Sequence, residues 1–343
     1  MRRRRPRSQR RSQRQRELRP AFRAGINASP VILPDADFQT LGQWSAVRFG
    51  DAGLALFDDG DIFLDFSVPA RADHPYRAGE RVWIFRPVPD EPAEPIELDV
   101  VHRAERFVVV DKPHRIATIP RGMYVAKTVT VAARRQFAND DVVAAHRLDA
   151  ETAGLVLLTG DPAWRGPYQD MFARREVNKV YFAVAPAIDL GTLSSGGPGY
   201  AGAEQARVER ARIVHDEYGP GWTSIDVRIE RKPGAICVSI TEGEPNSRTH
   251  VRLVEELADG LALYELHPIS GRLHQLRATM NHIGAPIAGD PLYPDVLSLA
   301  DTAARDLPTQ LLAAQLEFSD PVDGTDVVVK TRRTLALAPN LTF

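Results

Sequence analysis

The amino-acid sequence predicts an α+β fold built around a largely antiparallel β-sheet. Between residues 211 and 269, five strand-like runs follow one another through short loops: ARIVHDE, TSIDVRIE, AICVSITE, RTHVRLVEE and LALYELHPI. Short loops join antiparallel neighbours, whereas parallel strands need long crossovers. Helix-like segments at 127–138 and 274–284, and a hairpin around a Pro-Val-Asp-Gly turn near residue 322, complete the pattern.

Length and composition restrict the classes of protein that fit. A chain of 343 residues with 43% hydrophobic and 26% charged residues is typical of a soluble protein of about two domains. No apolar run approaches the roughly 20 residues that span a bilayer, and no signal-peptide core is evident. The single cysteine, Cys237, excludes an intramolecular disulfide and a CxxC metal site. We therefore expect a cytoplasmic protein without membrane contact, and a monomer.

The N-terminal region is strongly basic. Residues 1–23 hold eleven arginines and one acidic residue, Glu17, although the net charge of the whole chain is −2. Residues 1–30 lack helical or strand periodicity, which predicts a disordered Arg-rich tail. Such a tail binds polyanions through counterion release, without sequence preference. A solvated tail without a specific role and a nuclear localisation signal have the same composition, and both alternatives stay open.

Two domains are expected after the tail. Residues 31–95 predict a small accessory domain, with strands at 61–68 and 80–88 and a Pro- and acid-rich linker at 87–95. A denser α+β pattern begins near Ile96 and predicts a catalytic domain over 96–343. In it, the apolar run LVLLTG (155–160) predicts a buried strand, and Asp161 followed by Pro162 predicts the start of a helix.

Three polar clusters are the candidates for chemistry. The segment HRLDAETAG (146–154) places Asp149 and Glu151 on one side of an extended chain, directly before the apolar run. NKVYFAV alternates Lys179 and Tyr181 onto one face, and GRLHQLR places His274 and Arg277 on one helix face. No GxGxxG opens a helix after a strand and no GxxxxGK[ST] occurs, which argues against a nucleotide-dependent enzyme.

The order of these motifs resembles the RluA-type family of pseudouridine synthases. HRLDAETAG, KVY, GRLHQLR and GAPIAGDPLY occur in the order of that family, preceded by FVVVDKPHRIATIP and followed by LAAQLEFSDPVDG. The resemblance covers about residues 96–335. It implies the pseudouridine synthase fold, a mixed, largely antiparallel bifurcated sheet around a central cleft. It also implies an RNA pseudouridine synthase that isomerises specific uridines in structured RNA and needs no metal or organic cofactor.

The resemblance also implies which residues form the site. Asp149 is the essential carboxylate, acting either as a nucleophile or as the base that removes the C2′ proton. Arg277 pairs with Asp149 and keeps it ionised, and Tyr181 stacks on the target base. Arg147 occupies the place that the flipped base leaves. Further substrate-binding candidates, for phosphate contact or loop support, are His146, Lys112, Arg272 and His274.

Other expectations concern neighbouring residues and the RNA itself. Asp290 is expected to hold structure, and Glu151 to face solvent or RNA. Ala153, Thr279 and Pro294 depart from the family pattern and indicate a divergent branch. YRAGERVWIF resembles the last strand of an S4 RNA-binding domain, so residues 31–95 are a candidate degenerate S4-like module. That module and the basic tail favour ribosomal RNA over transfer RNA as the partner.

Two other functions fit parts of this pattern less well than the synthase. A non-catalytic RNA-binding protein on the same scaffold would lose Asp149, Tyr181 or Arg277, and all three are present. An acid-dependent hydrolase would use Asp149 and Glu151, but residues two apart on a strand lie side by side and do not flank a scissile bond.

Overall fold

A computed structural model describes residues 18–85, 96–120, 124–193 and 211–341. It divides into two compact units, one made of residues 1–96 and 119–140, the other of residues 97–118 and 141–343. Residues 1–17 of the predicted tail and the predicted 87–95 linker lie outside the described residues. Residues 18–30 are described, and here the prediction of a disordered tail is wrong: Arg23 pairs with Asp61, and Ser29 and Pro30 belong to a strand. In the described part of the chain, no helix is long and apolar enough to cross a membrane.

The first unit packs helices on a small sheet. Its strands are β1 (Ser29–Ile32), β2 (Ile62–Phe63) and β3 (Arg81–Ile84), and its helices are α1 (Leu41–Phe49), α2 (Ala52–Asp58) and α3 (Val129–Gln136). The antiparallel sheet has the order β1-β3-β2. Leu41 and Trp44 of α1, with Leu56 of α2, pack on the sheet through Ile62 and Val82. A helix pair on a small sheet is the arrangement that an S4-like module requires, and the likeness to S4 stays a prediction.

The strand predicted over residues 61–68 is much shorter than expected. Strand pairing ends at Phe63, and residues Asp65–Ser67 form a one-turn 3₁₀ segment with a left-handed Phe66 (φ 63°). The Trp83 indole donates to the Asp65 carboxylate at 2.8 Å, and the Leu64 amide donates to the Val68 carbonyl at 2.8 Å. These two bonds fold the apolar sequence into a turn, which its alternation did not reveal.

The second unit is built on one large sheet. Its strands are β4 (Asp99–Arg103), β5 (Val108–Lys112), β6 (Val143–Ala144), β7 (Ala153–Thr159), β8 (Asn178–Pro186), β9 (Ala211–His215), β10 (Thr223–Glu230), β11 (Ser239–Thr241), β12 (Ser247–Glu256), β13 (Leu261–Pro268), β14 (Leu311–Ser319) and β15 (Asp326–Lys330). Its helices are α4 (Pro162–Ala173), α5 (Gln275–His282) and α6 (Leu299–Ala304). The main path runs β11-β10-β12-β13-β8-β14-β7-β5-β4. Among the described strands only β7 and β14 pair in parallel, so the predicted mixed, largely antiparallel α+β fold is confirmed.

The sheet divides at β14. One edge of this strand pairs with β8 along residues 311–317. The other edge pairs with β7 only at Leu312 and Ala313, and then with β15 from Gln315 to Ser319. Strand β7 therefore diverges from β14 after Gly154, and the sheet forks at this point, as the family resemblance implied.

The helices of this unit follow local sequence signals. The side chain of Asp161 accepts a hydrogen bond from the Ala163 amide at 2.8 Å and caps α4, with Pro162 at the first turn. Tyr168 and Met171 of α4 are buried in the core that covers β7. Helix α5 packs on β10 to β13. Cys237 belongs to the strand-like run AICVSITE, but strand pairing begins only at Ser239 and the thiol is half-buried.

Gly154 is where a side chain is least tolerable. Its φ is +112°, and a Cβ there would lie 2.2 Å from the Ala313 carbonyl oxygen of β14. We expect Gly154→Ala to lower the free energy of unfolding by about 2–5 kcal/mol, because backbone strain and overpacking combine. Gly324→Ala is the matched control: its φ is +78° and nothing lies within 4 Å. That control should cost about 1–2 kcal/mol, and equal losses in urea denaturation would contradict the steric account.

Candidate active site

The loop that carries Asp149 lies at the mouth of β7, a strand whose seven residues are all buried. The upstream segment 112–118 holds its backbone. The Thr118 hydroxyl donates to the Leu148 carbonyl at 2.8 Å and accepts from the Leu148 amide at 2.9 Å. Lys112 donates to the Ala150 carbonyl at 3.1 Å. The loop is thus fixed by backbone hydrogen bonds on both sides of Asp149.

Lys112 is entirely buried. Its ammonium donates to three carbonyl oxygens, those of Pro113, Ile116 and Ala150. Burial lowers the pKa of Lys112 to about 7, although the charges of Asp149 and Glu151 oppose this. Of the two predicted roles, this geometry favours loop support; with no exposed surface, the ammonium is not available to an RNA phosphate.

Arg277 is shared between two carboxylates. Its Nε and Nη2 donate to the two oxygens of Asp290, both at 2.6 Å, and its Nη1 lies 3.5 Å from Asp149 Oδ2. The side chains of Arg277 and Asp290 are 2% and 0% exposed, whereas that of Asp149 is 19% exposed. Asp290 therefore fixes the guanidinium, as expected of a structural residue, and Asp149 is the carboxylate that reaches the surface.

The electrostatics around Arg277 depend on this pairing. Burial by itself lowers the pKa of the guanidinium, but hydrogen bonding to Asp290 and the charges of Asp290 and Asp149 hold it above its ordinary value. Breaking a buried pair by removing one partner is strongly destabilising, because it leaves an uncompensated charge. Arg277 is thus a permanent cation beside Asp149.

His274 approaches the same carboxylate oxygen of Asp149 that faces Arg277. Its Nε2 is 4.0 Å from Asp149 Oδ2, and its Nδ1 is 3.2 Å from the Tyr293 hydroxyl. Burial lowers the pKa of His274 despite the nearby Asp149 charge, and the charge of Arg147 contributes to the lowering. His274 is in the left-handed conformation (φ 50°) at the start of α5, which turns the chain at this point.

Tyr181 belongs to β8 and is buried, with 9% of its surface exposed. Burial and the charge of Asp149 raise the pKa of its phenol, so the hydroxyl keeps its proton. Strand β8 pairs with β14 at Ala313, and Ala313 also pairs with Gly154 of β7. Ala313 therefore lies between Tyr181 and Gly154 in the sheet, and Gly154 follows Asp149 by five residues.

The two arginines predicted to contact RNA are exposed. Arg147 extends from the Asp149 loop. Arg272 follows β13, and its Nε donates to the Asn246 carbonyl at 3.2 Å. Both guanidinium groups retain donors for a phosphate.

His146 is placed differently from its predicted substrate-binding role. Its Nε2 accepts from the Leu157 amide at 3.1 Å, and its ring stacks on Phe172 with the centroids 4.1 Å apart. Burial and the charge of Lys179 lower its pKa to about 3. The imidazole is neutral, and these contacts make it a support for the loop.

Glu151 does not face solvent or RNA, contrary to expectation. Its carboxylate accepts from Arg305 at 2.9 Å and from the Thr309 hydroxyl at 3.2 Å, and its side chain is 12% exposed. The ion pair ties the Asp149 loop to the segment that precedes β14. Arg305 was missed because no local pattern links it to a residue 154 positions earlier. The pairing also removes Glu151 from any two-carboxylate hydrolytic site.

His146 generates a pH-dependent prediction. In the unfolded chain its imidazole takes up a proton below about pH 6.5, whereas in the folded protein it stays neutral down to about pH 3. The contribution of the neutral His146 to the free energy of unfolding is therefore complete above pH 6.5 and is lost as the pH falls towards 3. His146→Gln keeps an acceptor for Leu157 but does not titrate. Between pH 7 and 5, we expect the variant to lose roughly 2 kcal/mol less unfolding free energy than the wild type in urea denaturation. A weaker affinity for RNA at pH 7 with an intact fold would instead return His146 to the substrate site.

Comparison with known proteins agrees with this geometry. The family model described as RNA pseudouridylate synthase matches residues 106–282, half of the chain. The chain is 26% identical over 312 residues to ribosomal large subunit pseudouridine synthase D of Xanthomonas campestris pv. campestris, covering 86% of this chain and 81% of that protein. It is 29% identical over 241 residues to the dual-specificity RNA pseudouridine synthase RluA of Salmonella typhi, covering 70% and 94%.

A solved structure supports the fold. Human RNA pseudouridylate synthase domain containing 1 superimposes with a TM-score of 0.50 at 23% identity, covering 71% of this chain and 86% of that one. The matched family region includes the Asp149 loop, Tyr181 and the Arg277 helix. The chain therefore belongs to the RNA pseudouridylate synthase family, in its RluA-type branch, and is an RNA pseudouridine synthase.

Proposed function

We propose that Asp149 is the catalytic carboxylate of this synthase and that its substrate is a uridine in ribosomal RNA. The observation that carries the proposal is that the two carboxylates beside Arg277 differ in hydrogen bonding and exposure. Asp290 is buried and hydrogen-bonded through both oxygens, whereas Asp149 touches the same guanidinium only at 3.5 Å and remains partly exposed. A carboxylate that is oriented but not saturated with hydrogen bonds is suited to attack or to accept a proton.

The reaction breaks the N1–C1′ bond of uridine, turns the base and joins C5 to C1′. In the nucleophilic route, the Asp149 carboxylate attacks the sugar or the base and is released when the new bond forms. In the alternative route, it removes the C2′ proton and returns it after the base has turned. Both routes use the carboxylate of Asp149, which the Arg277 guanidinium orients from 3.5 Å.

Tyr181 supplies the ring against which the base turns. Its buried aromatic face on β8 is suited to stacking, which is worth about 1–3 kcal/mol per base. Because its phenol holds its proton, removal of the C5 proton by a preformed phenolate is disfavoured. The hydroxyl can still relay that proton in concert with another acceptor.

Base flipping assigns a role to Arg147. The target uridine has to leave its stack to reach Asp149, at a cost of a few kcal/mol. The exposed Arg147 side chain, two residues before Asp149, is suited to occupy the vacated position. Thus one loop would both hold the RNA open and present the catalytic carboxylate.

Ribosomal RNA is the proposed partner for two reasons. The relative from Xanthomonas, which matches over 86% of this chain, is named for the ribosomal large subunit. The eleven arginines of residues 1–23 also suit a large polyanion. The Salmonella relative is named as a dual-specificity enzyme, so a second class of RNA has to be tested, and transfer RNA is the one included here.

Replacement of Asp149 by Asn tests the reaction and the substrate together. We expect Asp149→Asn to lower pseudouridine formation by at least about 100-fold, because the amide neither attacks nor accepts a proton. Pseudouridine is mapped with carbodiimide in ribosomal and transfer RNA from cells lacking the gene, complemented with wild type or variant. Asp259→Asn, an exposed turn position with φ 58°, is the control and should restore every site. Wild-type maps from Asp149→Asn cells would overturn the catalytic assignment, and sites confined to transfer RNA would overturn the substrate.

Substitutions at Tyr181 separate the ring from the hydroxyl. We expect Tyr181→Phe to bind substrate RNA like the wild type and Tyr181→Leu to bind it about tenfold more weakly, because only Leu removes the stacking face. Release of tritium from RNA carrying [5-³H]uridine measures the hydroxyl's part. Slow release by Tyr181→Phe despite normal binding supports the proton relay, whereas unchanged binding by Tyr181→Leu would argue against stacking.

A further inference from the structure

A polar cavity lies outside the set of residues that surround Asp149. Its volume is about 450 Å³, within the range of small-ligand pockets. It is formed where β12 begins, where the chain leaves β13, and just after α4. Its polar lining includes Arg175, Asp226, Asn246, Arg248, Ser270 and Arg272. None of these residues takes part in the reaction steps proposed for Asp149 and Tyr181, and of them only Arg272 was predicted to contact RNA.

The positively charged side chains that line this cavity outnumber its one carboxylate, Asp226. Arg248 is neutralised by Asp226 through two hydrogen bonds of 2.6 and 2.7 Å. Arg272 is held only by the neutral carbonyl of Asn246, at 3.2 Å. Arg175 is exposed at the end of α4, in the left-handed conformation (φ 65°). The lining therefore retains two positive charges that no lining carboxylate balances.

The cavity is linked to the proposed site through Lys179. The Lys179 ammonium donates to the carbonyl of Ser270 in the cavity wall, at 3.3 Å. Lys179 precedes Tyr181 by two residues on β8, about 7 Å along the strand and on the same face. Burial and the charge of Arg175 lower the pKa of Lys179 to about 8, so an anion here would relieve repulsion among cations. On the other wall, Arg272 precedes His274 by two residues.

We propose that this cavity binds a phosphodiester, with its nucleoside, of the RNA strand that flanks the target uridine. The inference rests on the proposed placement of the uridine at Asp149 and deepens it by naming a subsite. Guanidinium groups match phosphate oxygens in a two-point geometry. Arg175 and Arg272 make the contacts, and Arg248, locked by Asp226, shapes the wall. Phosphate contacts fix register without reading sequence, so the subsite would set where the strand lies when the uridine flips.

The test compares three variants of the full chain: Arg175→Ala/Arg272→Ala, the charge-preserving Arg175→Lys/Arg272→Lys, and the control Lys330→Ala/Arg332→Ala. The control removes two exposed positive charges from the β15 region of the same unit. One measurement is the salt dependence of binding to a uridine oligoribonucleotide of about 15 nucleotides. The other is pseudouridine formation in total RNA from cells lacking the gene, as a function of enzyme concentration.

We expect the double alanine variant to flatten the salt slope by about 1 relative to the control. Its half-saturating enzyme concentration should rise about tenfold, with the plateau rate within about twofold of wild type. The double lysine variant should keep the wild-type slope. A slope equal to that of the control, or a lower plateau rate with unchanged binding, would overturn the subsite. Because Asp149→Asn should bind the oligonucleotide normally yet fail to react, failure of the catalytic proposal would be seen separately.

Discussion

The ion pair between Arg277 and Asp290 is the constraint on which the rest of the site depends. A guanidinium that is 2% exposed is tolerable only beside a carboxylate, and Asp290 meets it with two hydrogen bonds of 2.6 Å. Once that charge is balanced, Arg277 can orient Asp149 without being neutralised by it alone. One buried residue thereby supports another that has to stay reactive. Asp290, expected to be structural, takes two of the donors of Arg277, and Asp149 contacts only Nη1.

The loop around Asp149 is restrained from two directions. Lys112 at the end of β5 and Thr118 in the segment after it bind its backbone, and Arg305 binds the Glu151 carboxylate from the segment before β14. Hydrogen bonds from polar side chains thus hold this loop in place, which apolar packing alone would not do. The cost is the burial of charged groups, including a lysine whose pKa falls to about 7. A rigid loop holds a reactive group in position better than a mobile one.

Sequence patterns predicted those parts of the structure that depend on interactions between residues close together in the chain. The antiparallel strands from 211 onward, the cap at Asp161 and the buried β7 follow from periodicity and turn chemistry, and the motif order indicated the family. Partners distant in sequence could not be predicted this way. The pairing of Glu151 with Arg305 and of His146 with the Leu157 amide depends on how strands assemble. The turn at Phe66 was not predicted for a related reason, since one of the two hydrogen bonds that fold it comes from the Trp83 indole of β3.

The parallel contact between β7 and β14 has a consequence for biogenesis. Gly154 and its partner Ala313 are separated by most of the second unit, as are Glu151 and Arg305. Contacts between residues so far apart in sequence form late and slowly. During synthesis the Asp149 loop will therefore emerge long before the residues that lock it. A nascent chain shorter than about 313 residues will lack the contacts that fix its reactive carboxylate. Competence to modify RNA would thus be acquired only after the residues around Ala313 have been synthesised.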